Sequence, residues 1–173
     1  MSQQLFTVGH STLTQEEFIS LLNEFSIEVL ADVRRFPGYA RFPHFNKENL
    51  TPTLQQNHIN YLHLLSLGGR RTAAKSTTAT AWKNKAFQAY ADYMQTDEFK
   101  KGIEELTTVA KEKRTVIMCS EALWWRCHRS LIADYLKAQG WDVIHIMAEN
   151  KSQQHPYTSP ARIVQGKLDY GQD

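Results

Sequence analysis

Two cysteines, a glutamate, a histidine and two arginines fall within the stretch "CSEALWWRCHR", Cys119 to Arg129. Thiol, carboxylate, imidazole and guanidinium are the groups that carry nucleophilic, proton-transfer and anion-binding chemistry. An apolar run, "TVIMC" (115–119), enters the stretch, and a helical stripe of Leu131, Ile132, Tyr135 and Leu136 leaves it. The chemistry therefore straddles a strand-to-helix turn. A helix N-terminus carries roughly half a positive charge, and a cation placed there costs ~0.3–1 kcal/mol. Arg126, His128 and Arg129 crowd that end all the same. Glu121 or a bound anion would resolve the conflict, because free N–H groups at a helix start favour phosphate or carboxylate and arginine adds a bidentate fork.

Each group has a chemical and a structural reading. Cys127, at the helix start and among cations, is the thiol placed for activation, because both features stabilise thiolate. Cys119 ends an apolar strand and is either an inert core residue or a second nucleophile candidate. Glu121 and His10 are the acid–base candidates, and Ser11 or Thr12 in "GHST" can cap the following helix. Zinc would accept these ligand types, but no C-x-x-C or H-x-x-x-H spacing is present, so neither a metal nor a cofactor is expected. His145, inside "VIHIM", reads as a satisfied core histidine. Asp32 and Arg34 stand two apart on a strand and point the same way, so the carboxylate can aim the guanidinium. Trp124 and Trp125, with Phe36, Tyr39 and Phe42 among Arg34, Arg35 and Arg41, suit either a base stacked beside a phosphate or the packing of a lid.

The elements that hold these residues read as alternating strands and helices. Apolar runs occur at 5–9, 27–33, 59–65, 115–119 and 141–147. Helical spacing links Phe18, Leu21, Leu22 and Phe25, and "TQEE" (14–17) fits a capping box. Further stripes fall in 82–95, 97–112 and 128–138, with Gly140 as a stop. The expected fold is a single three-layer α/β/α domain over 1–173, with a mostly parallel sheet of about five strands. Segment 34–46 reads as an irregular loop, 66–80 as a mobile one, and the tail 151–173 as packing over an edge or mouth. Ligands bind at the carboxyl ends of strands in such sheets. His10 and Ser11, then Arg34, then Gly68, Gly69 and Arg70, and finally Cys119 to Arg129 are therefore expected to converge.

Bulk properties narrow the class. The net charge of +2 creates no basic field over the whole chain. Two cysteines are too few for a secreted disulfide scaffold. With no signal-like start and no apolar run near ~20 residues, a cytoplasmic protein without a membrane partner is expected.

The ordered pieces "FTVGHST", "LADVRRFP", "INYLHLLSLGGRR", "VIMCSEALWWRCHRSLIADYL", "DVIHI" and "HPYTSPARIVQGKLDY" resemble the uncharacterised family known as domain of unknown function 488, from about residue 5 to residue 170. The resemblance implies a small cytoplasmic α/β domain with Gly9, His10, Asp32, Arg34, Gly68, Gly69, Cys119, Glu121, Cys127, His128 and Arg129 as signature positions. It implies no activity. A weaker likeness, in the order of an Asp-x-Arg strand, a cysteine, a loop, a helix and a strand, is to rhodanese-type sulfurtransferases and cysteine phosphatases. Arg126 stands one position later than the phosphatase spacing requires.

Together these readings point to an enzyme acting on an anionic substrate: a phosphate-bearing small molecule, a nucleotide or a nucleic acid. His10, Cys119, Glu121, Cys127 and His128 form the catalytic set. Ser11, Asp32, Arg34, Gly68, Gly69, Arg70, Trp125, Arg126 and Arg129 form the ligand-binding set. A non-catalytic nucleic-acid-binding module and a thiol redox or persulfide carrier are the alternatives.

Overall fold

A computed structural model describes residues 3–38, 41–69, 71 and 77–171. Arg70, Tyr39 and residues 72–76 of the segment read as a mobile loop lie outside the described residues. Strands β1 (Gln4–Gly9), β2 (Val29–Asp32), β3 (Asn60–His63), β4 (Thr115–Cys119) and β5 (Asp142–Ala148) pair in parallel, in the order β3-β2-β4-β1-β5. The sheet has one strand more than expected: β6 (Lys151–Gln154) adds antiparallel to β5 at the edge. Strands β7 (Arg162–Val164) and β8 (Lys167–Asp169) form a separate hairpin turning at Gln165 and Gly166, both at positive φ.

The strands are apolar because both faces of the sheet are covered. Phe6, Val8, Leu30, Val116 and Met118 pack against helices α1 (Gln15–Glu24) and α2 (Lys47–Gln56). Leu5, Ala31, Ile117 and Cys119 face the opposite layer of α3 (Lys85–Tyr93), α4 (Asp97–Glu112) and α5 (Arg129–Ala138). Thr14 accepts from the Glu17 N–H while the Glu17 side chain accepts from the Thr14 N–H, so α1 begins in the expected capping box. Helix α2 was not legible: its only buried residues are Leu50 and Leu54, and Pro52 sits inside it. Proline ordinarily signals a break, since it has no N–H to donate.

The topology places the site. From β1 the chain passes β4 through α1 on one face to reach β2, whereas from β4 it passes β1 through α5 on the other face to reach β5. The connections of the adjacent strands β1 and β4 thus leave on opposite faces of the sheet, and ligands gather above the carboxyl ends at such a switch point. Among the described residues no helix is long and apolar enough to cross a membrane.

The tail does pack over an edge, through β6, and then turns across α5 to a buried anchor. Asp134, fully buried in α5, accepts from His155 Nε2 (2.8 Å), the Thr158 N–H (3.0 Å), the Thr158 hydroxyl (2.5 Å) and the Tyr170 hydroxyl (2.7 Å). Asp134→Asn replaces an acceptor-only group with an amide that brings its own hydrogens. The expected loss is about 2–4 kcal/mol, read as a lower denaturant midpoint with an unchanged slope.

Candidate functional site

A cavity of about 490 Å³ opens above the carboxyl ends of β1, β2 and β4. It is lined by His10, Ser11 and Thr12 after β1, by Arg34, Arg35, Phe36, Arg41 and Phe42 after β2, by Gly69, and by Cys119 to Ala122 with Cys127 and His128. Four separate chain segments therefore meet at one mouth. Among the described residues three arginines and one glutamate stand in its wall, so their formal charges sum to a positive balance. Among the described residues no three of His, Cys, Asp and Glu converge to hold a metal ion.

The two thiols form the floor. Both cysteines are free and buried, with their Sγ atoms 2.9 Å apart. Cys127 lies where α5 begins, and its Sγ accepts the Arg129 backbone N–H at 3.3 Å, taking the place of a capping hydroxyl. Burial alone would push the Cys127 thiol up. The hydrogen bond from Cys119 and the Arg129 charge and N–H outweigh it and bring the thiol down to about 7. Cys119 moves the other way, well above its ordinary value, through burial, its bond to Cys127 and the Cys127 charge. The pair is thus polarised: Cys127 is the thiol that ionises first, and Cys119 keeps its proton.

Arg129 underlies both sulfurs. Only 1% exposed, its guanidinium donates to the Glu121 carbonyl (2.6 Å), the Ala122 carbonyl (3.4 Å) and Thr7 Oγ1 (3.1 Å), and its Nε has no hydrogen-bond partner among the described residues. Gly9 makes this possible. A Cβ at Gly9 would stand 1.7 Å from the Glu121 carbonyl oxygen, so only glycine lets the loop carbonyl cross the end of β1. From Thr7 the bonds continue: Thr7 Oγ1 to His145 Nδ1 (2.5 Å), His145 Nε2 to His155 Nδ1 (2.8 Å), and His155 Nε2 to Asp134. The carboxylate only accepts, so His155 Nε2–H donates to Asp134 at the end of this chain. Burial, then His155 and Arg129, hold His145 far below its usual value, at about 2, so it is neutral.

The histidines of the mouth are oriented in the same way. His10 Nδ1–H donates to the Ser11 carbonyl (2.9 Å), which leaves its Nε2 lone pair to accept from Arg34 Nη1 at 3.5 Å. Burial brings His10 down to about 4, so it is a neutral acceptor near pH 7. Its ring stacks on Phe45, centroids 4.2 Å apart. His128 donates from Nε2 to the Val33 carbonyl (2.9 Å) and turns Nδ1 toward Cys127 Sγ at 3.6 Å, and burial lowers it as well. Gly69 admits this ring, because a Cβ there would lie 3.0 Å from His128 Nδ1. Asp32 grips Arg34 through Nε (2.9 Å) and Nη2 (2.8 Å) and is itself held by the Tyr61 hydroxyl (2.5 Å). Arg34 therefore offers Nη1 as an aimed donor, with its charge offset.

The residues singled out from sequence divide into groups. His10, Ser11, Arg34, Gly69, Cys119, Glu121, Cys127 and His128 line the cavity. Asp32 and Arg129 lie buried behind the wall, and Gly68 supports the turn beside Arg35. Glu121 is exposed, and its carbonyl rather than its carboxylate meets Arg129. Trp125 is 47% exposed and Arg126 also faces out, both away from the cavity lining. Trp124 is buried, stacked on His145 with ring centroids 4.5 Å apart, so it is unavailable to stack on a ligand there. Sequence reasoning missed Thr7, Asp134 and His155. An acid inside the buried stripe "LIADYL" was the available signal for Asp134; nothing marked the other two.

A polarised dithiol on a buried arginine, below an arginine-lined cavity at the switch point of a three-layer α/β sheet, defines the class: a small α/β protein with a thiol-centred site. The chain belongs to the family described as domain of unknown function DUF488, whose model matches residues 14–136. That match runs from the N-cap of α1 into α5 and stops short of Thr7, His10, His145 and His155. No curated protein and no solved structure matches the chain.

Two outcomes follow from these protonation states. Alkylation of Cys127 by a neutral reagent should rise with pH through about 7, below the ~8.5 of an ordinary thiol, as peptide mapping over a pH series will show. Native stability should fall with acid below about 6.5, because the unfolded chain protonates histidines that His10, His128 and His145 keep neutral in the fold. Denaturant midpoints at neutral and mildly acidic pH check the sign, and a flat or rising stability would contradict it.

Proposed function

We propose that this protein is an enzyme that uses the Cys127 thiolate on an anionic substrate held in the cavity above it. The observation that carries the reading is the placement of one stabilised thiolate on the floor of a pocket walled by Arg34, Arg35 and Arg41. A purely structural cysteine has no need of an N–H from a helix start, a second thiol and a buried guanidinium. The cavity volume suits a drug- or nucleotide-sized molecule. A phosphate- or carboxylate-bearing small molecule, a nucleotide or the end of a nucleic-acid strand belongs to the class. Phe36, 53% exposed, and Phe42 lie at the wall beneath the Arg35 and Arg41 guanidinia, 5.6 and 5.5 Å from the ring centroids, and offer apolar faces next to the cations. His10 Nε2 and the Glu121 carboxylate supply proton acceptors at the rim. Two free thiols accord with a reducing cytoplasm.

The test compares iodoacetate with iodoacetamide, which differ chiefly in charge. Cys127 should react faster than a small free thiol at neutral pH, and the ratio of iodoacetate to iodoacetamide rates should exceed that thiol's ratio by several-fold. Added salt and Arg41→Gln should each reduce the excess. A Cys127 no more reactive than a free thiol, or one indifferent to the reagent's charge, would overturn the proposal.

A further inference from the structure

The second thiol has no part in a single nucleophilic attack, yet it touches the first. Cys119 Sγ lies 2.9 Å from Cys127 Sγ, about 0.9 Å beyond a disulfide bond length. Cys127 Sγ accepts an N–H at the start of α5, while Cys119 ends β4 and is the less exposed of the two. We propose that the two cysteines are a nucleophile and its resolving partner, and that the substrate is an anionic disulfide which the site reduces by two electrons. This rests on the Cys127 thiolate reading above and extends it to the substrate's reacting atom.

The steps balance. Cys127 thiolate attacks one sulfur of R–S–S–R′; a Cys127–S–S–R bond forms, the substrate's S–S bond breaks, and R′–S⁻ departs. Cys119 then attacks Cys127 Sγ; the Cys119–Cys127 bond forms, R–S⁻ departs, and the Cys119 proton passes to a departing thiolate. The substrate disulfide becomes two thiols and the protein dithiol becomes a disulfide. An external thiol reductant returns the pair to its starting state.

The electrostatics order these steps. While Cys127 is anionic, its charge helps to keep the proton on Cys119. The mixed disulfide removes that charge and leaves the Arg129 cation, so Cys119 is released to ionise only after Cys127 has reacted. Both sulfurs line the cavity, but Cys119 is 3% exposed against 8% for Cys127, which favours attack on a bulky substrate by Cys127. The arginine wall would seat the acidic groups of R, and the departing thiolate would leave through the same cationic mouth.

The experiment uses the full reduced chain with dithiobis(nitrobenzoate), an aromatic disulfide with a carboxylate on each ring, and with uncharged dithiodipyridine as its counterpart. The expected result is release of both halves of the probe per chain. The product should carry no adduct, be two hydrogens lighter than the reduced chain, and revert with dithiothreitol. Cys119→Ser should stop after one half, leaving the other on Cys127. Cys119→Ala should do the same, which separates chemistry from any folding effect of the serine. A wild-type chain that keeps a stable adduct on Cys127, or adducts on both cysteines, overturns the resolving role while leaving the nucleophile in place. Failure of Cys127 to react with either probe overturns both readings. Closure at rates that, relative to a small thiol, show no preference for the charged probe would overturn the anionic substrate and leave the dithiol step standing.

Discussion

A guanidinium cannot leave water unless other groups match its charge and take up its N–H donors, because an uncompensated buried charge costs several kcal/mol. Arg129 is in that position: it is almost fully buried, and no carboxylate is recorded in an ion pair with it among the described residues. Its N–H donors are met instead by two loop carbonyls and a threonine hydroxyl, beside a thiol that ionises readily. Much of the local architecture can be traced to that requirement. The 120–126 loop folds back over β1 so that the Glu121 carbonyl reaches the guanidinium, and Gly9 is the residue whose missing side chain lets it pass.

The same requirement ties the far end of the chain to the site. Thr7 Oγ1 accepts from Arg129 and is bonded onward to His145, His145 to His155, and His155 donates to Asp134. A buried cation and a buried carboxylate, both on α5, are thus joined through two imidazole rings and a hydroxyl drawn from β1, β5 and the tail. Hydrogen-bonded chains of this kind polarise one another in a low dielectric, and a missing member strands two groups at once. Thr158 and Tyr170 complete the Asp134 shell, so the last stretch of chain is held by the same carboxylate that ends the relay.

The crowding of cations at the start of α5 is resolved by distributing their roles. Arg126 turns to solvent, His128 is neutral and donates to the end of β2, and only Arg129 keeps its charge inside. At the helix start, Cys127 Sγ accepts the Arg129 N–H. What faces the cavity is therefore a sulfur whose charge the helix N–H, the guanidinium and Cys119 stabilise together.

Hydrophobic patterning was enough to read the five parallel strands, the α1 capping box and the helices around α3, α4 and α5, because strands covered on both faces and amphipathic helices write their burial directly into residue order. Strand order of this kind also predicted that His10, Arg34, Gly69 and the Cys119–Arg129 stretch would meet. Helix α2 escaped because Pro52 and two isolated leucines give no period, and β6 because an exposed edge strand needs no apolar face. The chemistry of the site lay beyond local pattern for a different reason. Which cysteine carries the charge, which carbonyls meet Arg129, and how Thr7, His145, His155 and Asp134 join depend on contacts between residues as many as 138 apart. Residue types alone assembled the inventory of thiols, rings and cations; burial and the direction of each hydrogen bond, which exist only once the sheet is built, decided what state each one holds.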